Sequence, residues 1–286
     1  MQAISPPISF SYIICHFFSN FIINKLYIQY ECQTVSYHSL REVSRMEFIL
    51  FLIGFAASFL GTLGGGGGMI NMPAMMLAGI PIHTIIAVNK FSNTISSFSS
   101  FFILLKDRKV EFREAAALLP VAFAGGITGA GLAAMIPPEY LEKMALVFLT
   151  FACALLFWKQ PKHLENKQKL SPALYPALYG TGIYDGIFGP GQAVMLMQIY
   201  LSRSFPYMKA IALTRFQTFA SCLGAAILYG LGGLIDWSIA VYLAAGSLSG
   251  AQLAVRTANK LSKKQGIWIV RISALCLLCY LYVNAL

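Results

Sequence analysis

The chain has 286 residues, of which 57% are hydrophobic and only 11% charged, whereas an ordinary soluble domain carries about 25% charged residues. That composition excludes a disordered chain, a disulfide-stapled secreted module and a soluble Rossmann or TIM-barrel enzyme. It leaves an all-α polytopic membrane protein, because the apolar runs such as 145–158 and 239–254 are continuous and lack the roughly ten-residue alternation of a barrel. The net charge of +10 gathers in short segments around Lys106, Arg108 and Lys109, around Lys159, Lys162, Lys167 and Lys169, and around Lys260, Lys263 and Lys264. This is the pattern of positive-inside loops. It is not a basic face interleaved with aromatics, so no nucleic-acid partner is expected.

Residues 1–45 differ from the rest. An apolar run over 8–23 is interrupted by His16, Ser19 and Asn20, and a polar stretch with Arg41 and Arg45 follows. It lacks the basic start and small-residue cleavage site of a signal peptide. Met46 then opens directly into a long apolar run. The expectation is that 1–45 is a non-native or poorly ordered extension and that Met46 begins the working protein.

Ten apolar elements follow, at 47–63, 67–79, 83–105, 113–135 and 140–158, then 172–188, 191–202, 207–231, 237–257 and 266–285. The second and seventh have only about 12 or 13 residues, short of the roughly 20 that span a bilayer. Each follows a glycine-rich break. The expected domains are a first transmembrane repeat over 46–165 and a second over 171–286. A shift of 125 residues aligns them without a gap. Gly61, Gly64 and Gly66 fall on Gly186, Gly189 and Gly191, Pro81 on Pro206, Lys90 on Arg215, Ser96 on Ser221 and Gly125 on Gly250. Five elements per repeat is an odd number, so the two copies are expected to cross the membrane in opposite senses, as in many secondary transporters. Basic loops at 106–113, 159–171, 203–209 and 259–264 are then cytoplasmic.

Three constellations carry chemistry. The first is the pair of breaks, Gly64, Gly65, Gly66 and Gly67 with Gly68, and Gly189, Pro190 and Gly191. Glycine allows a sharp turn, proline stops a helix, and the half-helix that follows points free N–H groups and its positive end at the break, which suits an anion. The second is Lys90 and Arg215, each about eight residues inside a long apolar helix, where a charge is costly and faces a cavity or a partner. Two cations and two half-helix starts describe a seat for a compact anion, divalent by charge count. Asn89, Asn93, Thr214 and Gln217 stand beside them as neutral donors. The third is Asp185, either a proton carrier or a structural partner of a buried cation, Arg215 foremost. Gly125, Gly129, Gly246 and Gly250 read as helix contacts through small residues. Cys153, Cys222, Cys276 and Cys279 read as apolar packing. No histidine or carboxylate cluster has metal-ligand spacing, no nucleophile stands beside a base, and no cofactor is expected.

The string 180–191, Gly-Thr-Gly-Ile-Tyr-Asp-Gly-Ile-Phe-Gly-Pro-Gly, resembles the second-repeat signature of the TauE/SafE family of sulfite exporter-like membrane proteins. Residues 61–68 with Pro73, Gly79 and Pro81 resemble the first-repeat signature, and Asp236-Trp237 with Gly246–Gly250 fits as well. The resemblance covers about 48–284 and implies transport of sulfur-containing anions, such as sulfite or organosulfonates, across a bacterial inner membrane. After the mid-helix cation this chain reads Phe216-Gln217-Thr218 where second-repeat members often carry an asparagine, a change in the lining that selects among anions. The sequence therefore predicts a secondary transporter and not an enzyme, in the direction of export, with a passive anion channel, or a transporter of another small anion or carboxylate, as the alternative. The expected partners are the lipid bilayer and a small anionic substrate, with a homodimer as the assembly to test.

Overall fold

The computed structural model describes residues 40–64, 67–157, 171–257 and 275. The chain divides into two units, Met1–Glu42 and Val43–Leu286, and every contact below lies within the second. All regular structure among the described residues is helical: α1 (Leu40–Gly64), α2 (Gly68–Leu77), α3 (Ile82–Lys106), α4 (Phe112–Ala116), α5 (Leu119–Ala134), α6 (Pro138–Phe157), a 3-10 turn (Pro172–Leu174), α7 (Tyr175–Ile187), α8 (Gln192–Ser202), α9 (Tyr207–Leu231) and α10 (Trp237–Thr257). Nine of the expected elements thus appear. The tenth, 266–285, and the extension before residue 40 lie outside the described residues. The expected element at 113–135 is divided into α4 and α5, with Pro120 in the first turn of α5, where its missing N–H costs nothing.

Three described stretches are long and apolar enough to cross a membrane: Phe112–Ala134, Tyr207–Leu231 and Trp237–Thr257. Helix α3 is as long as α9, at 25 residues, but buries Asn89, Lys90, Ser92, Ser96, Ser97 and Ser100. Those polar groups are tolerable in a membrane only if other helices shield them. They are shielded: α9 packs along one side of α3 and α10 along another. Phe101 and Phe216 close the α3–α9 seam with ring centroids 4.7 Å apart.

The backbone recurs at the 125-residue offset. Proline opens both long polar helices, Pro81 before α3 and Pro206 before α9. Positive φ angles occur at Gly79 (74°) and Ser204 (60°), and again at Arg108 (54°) and Gly233 (69°). Identical reversals accompany them. The Ile80 amide donates to Met75 O and the Phe205 amide to Tyr200 O, while the Lys109 amide donates to Leu104 O and the Leu234 amide to Tyr229 O. Packing follows the same exchange, since α5 lies on α7 and α10 lies on α1.

Those two crossings rest on glycine, as the spacing predicts. A Cβ on Gly125 would stand 2.8 Å from Tyr179 O, and one on Gly129 would stand 2.8 Å from Gly186 Cα. Gly246 and Gly250 meet the backbone of Phe51 and Phe55 just as closely. Without a hydrophobic drive between helices in lipid, this close approach supplies the association energy. Gly129→Val should therefore cost about 1–3 kcal/mol through overpacking and lower the unfolding temperature in detergent. Gly180→Ala, on the same crossing but with nothing within 4 Å of the new methyl, should leave it unchanged or raise it slightly.

Candidate functional site

Two interruptions bring the site together. Helix α1 ends at Gly64, and α2 begins at Gly68 with Gly67 as its N-cap. Helix α7 ends at Ile187. The chain then turns through Gly189 (φ 102°), Pro190 and Gly191 (φ 86°), and Gly191 caps α8. Only glycine adopts such angles without strain. Neither α2 nor α8 has a side-chain cap; the Ile70 amide turns back to Gly67 O and the Gln192 amide to Gly189 O, while among the described residues the amides of Met69, Ala193 and Val194 have no such turn bond and stay available to a ligand. The two breaks touch: a Cβ on Gly68 would lie 3.3 Å from Pro190 Cα.

Between them lies a cavity with about 40 Å³ open to the centre of a water-sized molecule, against the roughly 10–15 Å³ that one water needs. Its wall includes Gly67, Gly68, Gly189 and Gly191 at the breaks, Asn71 on α2, Asn89 and Asn93 on α3, Asp185 on α7, Gln192 on α8, Arg215 and Thr218 on α9, and Ser58 and Ser247 on α1 and α10. The space is small and polar, open enough for a compact ion.

The two mid-helix cations are treated differently. Lys90 has no exposed surface, and its Nζ lies 2.8 Å from Asp185 Oδ1 and 3.4 Å from Phe188 O. Asp185 Oδ2 accepts from Ser221 Oγ at 2.6 Å and from the Cys222 thiol at 3.3 Å. Arg215 instead lines the cavity, and one guanidinium nitrogen donates to Thr62 Oγ1, whose own proton goes to Ser58 O at 2.8 Å. Among the described residues no carboxylate pairs with Arg215. The expectation that Asp185 answers Arg215 is thus corrected: Asp185 answers Lys90. The offset explains why one acid cannot serve both, since position 60, equivalent to Asp185, is a leucine.

Gly189 explains the closeness of this arrangement. A Cβ there would collide with Lys90 Nζ and stand 2.8 Å from Asp185 Oδ1. The break passes directly over the ion pair, so Gly189 is needed both for its φ and for its lack of a side chain.

The remaining expected residues separate by position. Asn89 and Asn93 are on the wall, with Asn89 Oδ1 accepting from Asn71 Nδ2 at 2.7 Å and from Asn93 Nδ2 at 3.4 Å. Thr214 and Gln217 are buried and absent from the wall. Gln217 ties helices together, donating to Leu178 O (2.9 Å) and Thr181 Oγ1 (3.1 Å) and accepting from Tyr200 OH (2.7 Å). Pro190 lies behind the wall, where its carbonyl accepts from Tyr184 OH. Gly64 closes α1, and Gly65 and Gly66 lie outside the described residues.

Sequence reasoning missed Asn71, Gln192, Thr218, Ser58 and Ser247. Thr218 stands three residues after Arg215 and Asn71 three after Gly68, so helical spacing alone placed both on the facing side. Asn71 is 2% exposed, and its Oδ1 has no partner among the described residues. Gln192 accepts from Thr218 Oγ1 at 3.0 Å.

A family profile described as "Sulfite exporter TauE/SafE" matches residues 50–284. Among curated relatives, a "Probable membrane transporter protein" of Haemophilus influenzae is 35% identical over 213 residues, 73% of this chain and 83% of that protein. "Probable membrane transporter protein ORF9" of Sinorhizobium sp is 33% identical over 214 residues, 73% of this chain and 82% of that protein. "Probable membrane transporter protein YfcA" of Escherichia coli K12 is 28% identical over 213 residues, 73% and 79% of the two chains. No solved structure matches the chain.

The ion pair makes its own prediction. Removing one partner leaves a buried charge uncompensated, at about 3–5 kcal/mol. Lys90→Met alone should sharply lower the yield and thermal stability of purified protein, and the double variant Lys90→Met/Asp185→Asn should recover most of the loss. Equal loss in both would show that the pair does not hold the break.

Proposed function

Because the chain belongs to the sulfite exporter TauE/SafE family, and its relatives are named as membrane transporters, we propose that it is a secondary transporter of small sulfur-containing anions such as sulfite or organosulfonates, working in the direction of export. One observation carries the site assignment. Two uncapped half-helix starts and the guanidinium of Arg215 face a single small cavity. Backbone N–H groups and the positive ends of both helices favour an anion there, and a guanidinium offers a planar fork that matches two oxyanion oxygens. Asn89, Asn93 and Thr218 complete the ligand set in place of Thr214 and Gln217.

In this reading the two repeats cross a bacterial inner membrane in opposite senses, with the basic loops cytoplasmic. The recurrence of turns, positive-φ positions and helix crossings at the 125-residue offset supports that arrangement. Alternating access then follows from motion of one repeat against the other around the site. Asp185, the one described carboxylate on the cavity wall, is where a proton would couple to transport.

The test is flux of sulfite and of taurine in proteoliposomes. Saturable flux stimulated by substrate on the opposite side is expected of a transporter, whereas flux linear in concentration would make the protein a passive channel. Arg215→Ala should reduce flux by at least about a hundredfold, the scale of one lost charge-assisted contact pair, while the variant still purifies as folded protein. Unchanged flux in that variant would remove Arg215 from the site.

A further inference from the structure

Resting on the anion-site reading above, we infer that this cavity selects monovalent over divalent oxyanions, and that Asp185 is the residue that sets the valence. Three charged side chains lie at or directly behind the cavity among the described residues: Lys90, Asp185 and Arg215. Counting cations alone suggests a site for two negative charges. The geometry removes one of them. Lys90 Nζ is 2.8 Å from Asp185 Oδ1 and has no exposed surface, so its charge is already neutralised within the protein. Among the described residues Arg215 is left as the single uncompensated side-chain charge on the cavity, answered by the neutral hydroxyl of Thr62.

The pair is also held against rearrangement. Ser221 and Cys222 fix the far oxygen of Asp185, and Gly189 passes so close that even a methyl group would strike Lys90 Nζ. Lys90 cannot swing toward a ligand without leaving Asp185 buried and unpaired, a loss that a bound ion would have to offset. A monovalent anion therefore balances the one formal side-chain charge, with the partial positive ends of α2 and α8 in addition. A divalent anion of the same size exceeds that formal charge by one, and its second charge is left to the partial positive ends of the two half-helices, with no side-chain cation to answer it while Asp185 holds Lys90. The neutral part of the wall, Asn71, Asn89, Asn93 and Thr218, adds hydrogen-bonding groups to either ion but no formal charge. Asp185 thus acts on specificity through Lys90, as a positioning residue whose charge the substrate never has to contact.

The experiment uses two probes of similar size and fixed charge, methanesulfonate and sulfate. Each is titrated at constant ionic strength against the full-length protein in detergent, read as thermal stabilisation and as competition with sulfite flux in proteoliposomes. In the wild type, methanesulfonate should bind at least about tenfold more tightly than sulfate, a modest outcome for one extra charge at an effective dielectric near 20. Asp185→Asn frees the Lys90 charge and should reverse that order. Sulfate binding tenfold tighter in the wild type, or an unchanged order in a folded Asp185→Asn protein, would overturn the inference. Should Asp185→Asn fail to fold, the wild-type ratio decides alone. If neither probe, nor sulfite itself, stabilises the wild type, the anion-site reading is what fails. If both probes bind in the wrong order, only the valence assignment does.

Discussion

Lys90 cannot reach water from where it lies, two turns into α3 with other helices packed around it. A buried ammonium costs several kcal/mol unless a counter-charge stands beside it, and Asp185 is that counter-charge. Much of the surrounding geometry serves the contact. Helix α7 must bring residue 185 to the α3 surface and stop two residues later. The chain must then clear the pair, which Gly189 allows by having no side chain. Gly191 turns it back into α8, and the broken ends line the cavity. The glycine break and the ion pair are one construction seen from two sides: the backbone could not pass there without glycine, and Lys90 could not remain there without the acid that the break positions.

The helices themselves were legible because lipid leaves little choice. Apolar runs, prolines before α3 and α9, and glycine clusters at both breaks follow from what a backbone must do where water is absent, and nine elements lie within a few residues of where the pattern puts them, except that α1 starts at Leu40 rather than at 47. Helix α4 separates from α5 over residues 117–118, a division that the apolar run across it conceals. The repeat was legible for another reason, since unusual residues recur in one register, and the positive-φ pairs Gly79 with Ser204 and Arg108 with Gly233 show how far the backbone keeps it. Serine and arginine hold angles there that glycine would adopt more cheaply, which is why glycine matching alone understates the repeat.

The site was less legible, because partnership depends on rotation about helix axes and on where symmetry fails. Lys90 and Arg215 are equivalent in the repeat, so their sequence context offers no reason for one to be paired and the other open. The asymmetry comes from the other side, from an acid at 185 with a leucine at 60. Thr214 and Gln217 flank Arg215 in sequence, yet a step of one or two residues turns a side chain by 100° or 200°. That moves both off the wall and into contacts with α7 and α8, in the case of Gln217. Thr218 is one turn on from Arg215 and stays in view of the cavity.

The crossing of α1 with α10 has a consequence for how the protein is made. Ser247 Oγ donates to Gly54 O across 193 residues of chain, and Gly246 and Gly250 find their nearest neighbours on Phe51 and Phe55. Helix α1, the first of the described helices to leave the ribosome, therefore lacks α10 as a neighbour until the second half of the chain has followed it. During that interval it has to persist in the bilayer without α10. Its outward residues Phe48, Ile49 and Leu52, all exposed in the finished fold, suit it to that wait, because lipid is the solvent they keep. The same order of events leaves the groove for α1 incomplete in any nascent chain shorter than about the end of α10, so biogenesis gates assembly of the site whose cavity α1 helps to enclose.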